Sequence, residues 1–137
     1  MLKIFDKVIV TGGLGFIGSN LIDLLIKKNF KVINLDKVSY SSNFYNTKEY
    51  KKNKNYKFIK CDINNKNKIF DILKKEKPKA IFNLAAESHV DRSIYSPYSF
   101  IKNNIMGVFN LLEALKKYHK SENDFKLIHI STDEVYG

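Results

Sequence analysis

The sequence predicts an α/β protein built on a doubly wound parallel sheet. Three observations predict it: short apolar runs alternate with longer segments of helical period, the first run ends in a glycine-rich turn that opens a helix, and no linker, repeat or low-complexity tract breaks the rhythm. With 137 residues, 44% of them apolar, and 18 Phe or Tyr, the chain can bury one sizeable core.

Strands are expected at Lys7 to Thr11, Lys31 to Leu35, Tyr56 to Cys61, Ala80 to Leu84 and Leu127 to Ser131. Each is apolar on both faces, as strands sandwiched between helices must be, except the third, which reads as an edge. Phe16 to Lys28 forms the first helix, directly after the first strand. Lys66 to Lys75 carries Ile69, Ile72 and Leu73 on one face and stops before Pro78. Tyr98 to Lys117 sets Ile101, Ile105, Val108, Leu112 and Leu115 at steps of 4, 3, 4 and 3, a stripe expected to be core. Residues 37 to 55 are polar and aromatic and read as a loop. Five strands make most of a six- or seven-stranded sheet, so residues 1 to 137 are expected to be one incomplete domain, truncated after the fifth strand.

Composition narrows the function. The formal charge is +10, yet 23 of the 24 basic residues are lysine and Arg92 is the only arginine. Lysine binds phosphate as a point charge and lacks the fork that reads guanine, so the excess suits an anionic small ligand better than nucleic acid. No apolar run approaches the roughly 20 residues a bilayer needs, and Met1-Leu2-Lys3 does not open a signal peptide. A membrane or secreted protein is not expected. Cys61 stands alone, no Cys/His cluster has zinc spacing, and no metal is expected; a reducing cytoplasm fits.

Thr11-Gly12-Gly13-Leu14-Gly15-Phe16-Ile17-Gly18 lies between a strand and a helix, where backbone N–H groups and a helix N-terminus can meet a pyrophosphate. Gly12 allows the tight turn, Gly15 the close approach of phosphate, and Gly18 the packing of helix on sheet. Asp36 ends the second strand, 18 residues past Gly18, where a carboxylate accepts hydrogen bonds from ribose hydroxyls and repels a 2′-phosphate. That favours NAD over NADP, slightly weakened by Lys37 next to it. Asp62-Ile63 follows the third strand at the same sheet edge and suits an adenine amino group and an apolar ring contact.

Three further segments sharpen the reading: Asp36-Lys37-Val38-Ser39-Tyr40, Asn83-Leu84-Ala85-Ala86-Glu87-Ser88-His89-Val90-Asp91-Arg92-Ser93, and Ser131-Thr132-Asp133-Glu134-Val135-Tyr136-Gly137. With the Gly12/Gly15/Gly18 spacing, they resemble the extended short-chain dehydrogenase/reductase family, and within it the nucleotide-sugar 4,6-dehydratases that act on dTDP-glucose. The resemblance runs the whole chain but covers only the front of such an enzyme. It implies a Rossmann-like fold, a lyase reaction, and full-length homodimers. It also implies NAD contacts at Phe16, Ile17, Asp36, Lys37, Val38, Ser39, Asp62, Ile63, Leu84, Ala85, Ala86, Glu87 and Ser88. Ser88 would also face the sugar, and Asn103 stands where the family has a threonine near the cofactor. Thr132 matches the residue that hydrogen-bonds the sugar 4-oxygen, Asp133 the acid that protonates the leaving C6 hydroxyl, and Glu134 the base that removes the C5 proton. Two carboxyl groups with opposite duties need environments that separate their pKa values, and sites in parallel sheets lie at the carboxyl ends of strands.

The family's oxidation uses a Tyr-x-x-x-Lys pair on a helix beyond the fifth strand, where this sequence has ended. Tyr50/Lys54, Tyr56/Lys60 and Tyr98/Lys102 have the spacing but lie before that strand and are set aside. The substrate domain is expected to be absent, and the chain alone inactive. Another 4,6-dehydratase, an epimerase of the family, or a non-catalytic dinucleotide-binding module stay open as alternatives; Asp133-Glu134 argues against the epimerase. Among the histidines, His129 is expected to be a hydrogen-bonded core residue of the fifth strand. His119 is expected to be exposed at a helix end and His89 to have a local structural role.

Overall fold

A computed structural model of the chain describes residues 6–89, 94–119 and 125–132. Five strands, β1 (Lys7–Thr11), β2 (Lys31–Asp36), β3 (Tyr56–Lys60), β4 (Ala80–Asn83) and β5 (Lys126–His129), form one parallel sheet in the order β3-β2-β1-β4-β5. The order reverses direction between β1 and β4, so a crevice opens above the carboxyl end of β1. β3 lies at an edge, as its composition suggests.

Alternation along the strands feeds two cores. Val8, Val10, Val32 and Ala80 pack against Ile22, Leu25 and Ile26 of helix α1 (Phe16–Lys27). Ile9, Ile33, Leu35 and Ile81 point the other way, onto Ile69, Ile72 and Leu73 of α2 (Lys66–Glu76) and onto the last helix. Both faces are thus dry, and charge in the central strands is confined to their ends, at Lys7, Lys31 and Asp36. Local chemistry sets the helix ends. At the end of α1, the Asn29 and Phe30 N–H groups reach back to the Ile26 and Leu25 carbonyls, with Asn29 left-handed at φ 62. The Asn65 side chain caps α2 by accepting from the Lys68 N–H at 3.0 Å.

Two segments differ from the sequence reading. Within residues 37 to 55, Phe44–Tyr50 forms a 3-10 helix. It is anchored by tertiary contacts: Asn43 Oδ1 accepts from the Tyr45 N–H, Phe44 meets Phe58 edge-on at 5.2 Å, and the Tyr50 hydroxyl donates to Asp23 of α1. That last bond pushes the Tyr50 hydroxyl up to about 12.

The helix expected from Tyr98 to Lys117 is composite: α3 (Pro97–Phe100), a π turn (Ile101–Met106) and α4 (Gly107–His119). Of the expected core stripe, only Leu115 is buried. Ile101, Ile105 and Leu112 are exposed, and Val108 is half-buried; the face that packs on α2 and the sheet is Gly107, Leu111, Ala114, Leu115 and Tyr118. Ile101, Ile105 and Leu112 instead form an outer face that continues through the π turn, beside the packed face and not on it. His129 is likewise not core: it is exposed on β5, though hydrogen-bonded, while His119 is exposed at the end of α4 as expected.

No helix among the described residues is long and apolar enough to cross a membrane.

Candidate dinucleotide site

The glycine turn follows from what surrounds it. Gly12 leaves β1 with φ +69 and donates its N–H to the Leu35 carbonyl at 2.8 Å. A Cβ there would lie 3.0 Å from the Leu84 and Ala85 backbone, so only glycine lets the segment after β4 close over the turn. Gly15 begins α1 with no side-chain cap and no acidic residue in the first turn. Phe16 and Ile17 are exposed, and Gly18 is buried against the turn. An uncapped helix N-terminus beside a glycine turn is a ready site for an anion.

Asp36 is buried at the end of β2, and its carboxylate organises the turn. Oδ2 accepts the Leu14 N–H at 3.0 Å; Oδ1 accepts the Val38 N–H at 2.8 Å and the Ser42 hydroxyl at 2.7 Å. The Leu14 carbonyl accepts in turn from the Asn43 N–H and from Asn46 Nδ2, both at 3.1 Å. Val38 sits at φ +63, an unusual place for a β-branched side chain. Ser39 continues the loop, its N–H donating to Ser42 Oγ at 3.0 Å.

Below this loop is an open recess of about 490 Å³ lined by Lys37, Val38, Ser39, Lys60, Asp62 and Lys68 among others. Asp62 Oδ1 accepts the Asn64 N–H and Nδ2, turning the chain into α2. Ile63 is buried, its tip close to Gly107. The Cys61 thiol in the wall is pushed up by burial, so it stays protonated and inert.

Across the crevice, Thr11 holds the segment after β4. Its hydroxyl donates to Asn83 Oδ1 at 2.5 Å and accepts the Leu84 and Ala85 N–H groups at 3.2 Å. Asn83 Nδ2 then meets His129 Nδ1 at 3.0 Å, linking β1, β4 and β5 at one level. Farther out, Glu87 collects several donors: Lys37 Nζ at 3.1 Å, the Tyr40 hydroxyl at 3.1 Å and Asn103 Nδ2 at 3.3 Å. Asn104 holds the Glu87 backbone at both ends, accepting its N–H and donating to its carbonyl at 2.8 Å each. Ala86, Ser88 and His89 are exposed beside it, as is Thr132 beyond β5.

The described candidate residues therefore lie along one sheet edge, the carboxyl end. Asp133 and Glu134 lie outside the described residues, as do Val90 to Ser93. Sequence reasoning passed over Leu14, Ser42, Asn83 and Asn104. Of these, Asn104 left a trace: two adjacent asparagines, poor helix formers, stand inside an otherwise apolar helical run. Among the described residues, no group of three or more His, Cys, Asp or Glu could hold a metal ion.

Comparison with known proteins agrees with this fold. A family model described as GDP-mannose 4,6 dehydratase matches residues 9–137. The chain belongs to this family. It is 46% identical over 138 residues to a dTDP-glucose 4,6-dehydratase of Haemophilus influenzae, covering 96% of this chain and 40% of the relative. Among solved structures, it resembles dTDP-glucose 4,6-dehydratase from Bacillus anthracis in complex with NAD, with TM-score 0.82 and 36% identity over 96% of this chain and 39% of the other. It also resembles DesIV, the dTDP-glucose 4,6-dehydratase of Streptomyces venezuelae with NAD and TYD bound, with TM-score 0.84 and 34% identity, covering 96% and 41%. The chain spans about two fifths of the length of these family members.

Proposed function

We propose that residues 1 to 137 are the NAD-binding part of a cytoplasmic dTDP-glucose 4,6-dehydratase, which eliminates water to give the 4-keto-6-deoxy sugar. The observation that carries this reading is the buried Asp36 carboxylate, set between the glycine turn and the recess. A carboxylate offers about four acceptor sites; three protein donors fill three, which leaves one for a ribose hydroxyl. A 2′-phosphate would bring a second anion against it. Lys37, the nearest cation in sequence, is already paired with Glu87, which limits its welcome to that phosphate.

The residues fit the cofactor in order along the edge. The uncapped first turn of α1, with Gly12, Gly15, Phe16, Ile17 and Gly18, suits the pyrophosphate. Asp36 to Ser39 suit the ribose, and Asp62 and Ile63 the adenine. Leu84 to Ser88 and Asn103 lie on the nicotinamide side. NAD held there would supply a hydride acceptor for sugar C4 and a hydride donor for C6. Ser88 and Thr132 would hold the sugar. Glu134 would remove the C5 proton and Asp133 protonate the departing C6 hydroxyl; their support is the Ser131 to Gly137 match. Two of the three Tyr/Lys pairs gain nothing from the fold: Tyr56 and Lys60 stand about 13 Å apart along β3, and Tyr50 is tied to Asp23. The exposed apolar face of Tyr98, Ile101, Ile105, Phe109 and Leu112 supports pairing with a second copy.

Titration calorimetry with NAD and NADP tests the reading. NAD should bind more tightly, and Asp36→Ala should weaken NAD about tenfold while narrowing the gap to NADP. Equal or tighter binding of NADP by the unmodified chain would refute the role given to Asp36.

A further inference from the structure

Glu87 stands out because its side chain faces protein donors from both sides of the crevice. Lys37 and Tyr40 belong to the loop after β2; Glu87 follows β4; and β1 lies between those strands. Neighbouring strands are about 4.8 Å apart, so the two loops start roughly 10 Å from each other. A bond between them must therefore pass over the end of β1, where the glycine turn lies. The bridge uses both carboxylate oxygens: Oε1 takes Lys37 Nζ and Asn103 Nδ2, and Oε2 takes the Tyr40 hydroxyl. The carboxylate is only 10% exposed and its lysine 33%, so water screens the pair less than a surface ion pair.

The carboxylate is also well aimed. Asn104 grips the Glu87 backbone from the π turn, and Asn103, its neighbour, reaches the carboxylate itself. Two consecutive side chains of the π turn thus reach one residue.

We propose that Glu87 is a positioning residue that straps the crevice: its bridge to Lys37 and Tyr40 spans the end of β1 and opens to let a dinucleotide enter or leave. The proposal rests on the dinucleotide site described above. A bridge that must open for passage in either direction slows both entry and exit. It also makes the loops on the two sides of the crevice move together. For a reaction that takes a hydride from a sugar and returns it to the same sugar, slow exchange of the cofactor carries no penalty.

The test uses a fluorescent NAD analogue, etheno-NAD, mixed with the chain in stopped flow and then displaced by excess NAD. Glu87→Gln keeps the length of the side chain and the backbone bonds to Asn104 but removes the charge. It should raise association and release by about tenfold, and the faster association is what loss of a ligand contact alone would not give. Lys37→Met should do the same, and the double variant should add little to either single one. Tyr40→Phe, which removes one hydroxyl from an exposed ring, should raise both rates by a smaller factor and guards against a folding defect in the other variants. Faster release with an unchanged association rate would overturn the proposal, since Glu87 would then act only through its contact with the ligand; unchanged rates would overturn it too.

A second readout needs no ligand. Amide hydrogen exchange in Glu87→Gln should quicken in residues 37 to 40 and 84 to 89 together. Quickening confined to 84 to 89 would contradict the strap. If the unmodified chain takes up no dinucleotide, the proposed function fails, and the exchange measurement still decides whether the two loops are coupled.

Discussion

Gly18→Ala sets two magnitudes against each other. Gly18 lies in the first turn of α1, and alanine there gains about 1 kcal/mol in helix propensity. Packing opposes it: the new Cβ would lie 2.3 Å from the Gly12 carbonyl oxygen and 2.8 Å from Gly13 Cα, where ordinary contact begins near 3.4 Å. Both obstacles are backbone, and no side chain can swing aside. The turn is itself held by the Gly12 N–H to Leu35 and the Gly15 N–H to the Gly12 carbonyl. Relief thus requires α1 or the turn to retreat by about 1 Å in a close-packed site, at an overpacking cost of about 3 kcal/mol. The expected net loss is about 2 kcal/mol, read as a lower urea midpoint with an unchanged slope. A variant as stable as the parent, or more stable, would show that the close approach of helix and turn is wrong.

Gly15→Ala should separate stability from binding. Its Cβ would meet only the Gly12 carbonyl oxygen at 3.3 Å, so the chain should lose at most about 1 kcal/mol while calorimetry shows NAD weakened tenfold or more. Glu76 predicts a pH dependence. Bonds from Lys57 and Lys7 hold its carboxyl below the ordinary range of 4.5, against the opposing cost of burial. A lowered folded-state pKa contributes stability that is fully present above the unfolded value and is lost as the pH falls through the folded value. Glu76→Gln should therefore cost about 1 kcal/mol at neutral pH and much less below the carboxylate range, measured as urea midpoints against pH. A parallel loss at all pH values would remove the ion pairs from the account.

The strands were legible because burial on both faces leaves a plain signature: Val8, Ile9 and Val10 in succession admit no amphipathic reading. The glycine turn was legible because backbone geometry and close approach demand a particular residue type at fixed spacing. What escaped was held by distant partners. The 3-10 helix exists because Phe44 finds Phe58, Tyr50 finds Asp23, and Asn46 finds the Leu14 carbonyl, none of which leaves a periodic trace. The apolar stripe misled because Ile101, Ile105 and Leu112 repeat as regularly on an outer face as on an inner one. His129 looked like core because it lies in a strand, yet its place is on the edge strand. Asp36 was read through its expected ligand, whereas its bonds to Leu14, Val38 and Ser42 show that it also builds the turn.

The most direct test of the central claim, a dinucleotide lying across the carboxyl edge of this sheet, is amide hydrogen exchange of the chain with and without saturating NAD. Protection should appear together in residues 12 to 18, 36 to 39, 62 to 63 and 84 to 88, and not on the exposed face of α4. Protection missing from the glycine turn, or confined to one side of β1, would contradict it.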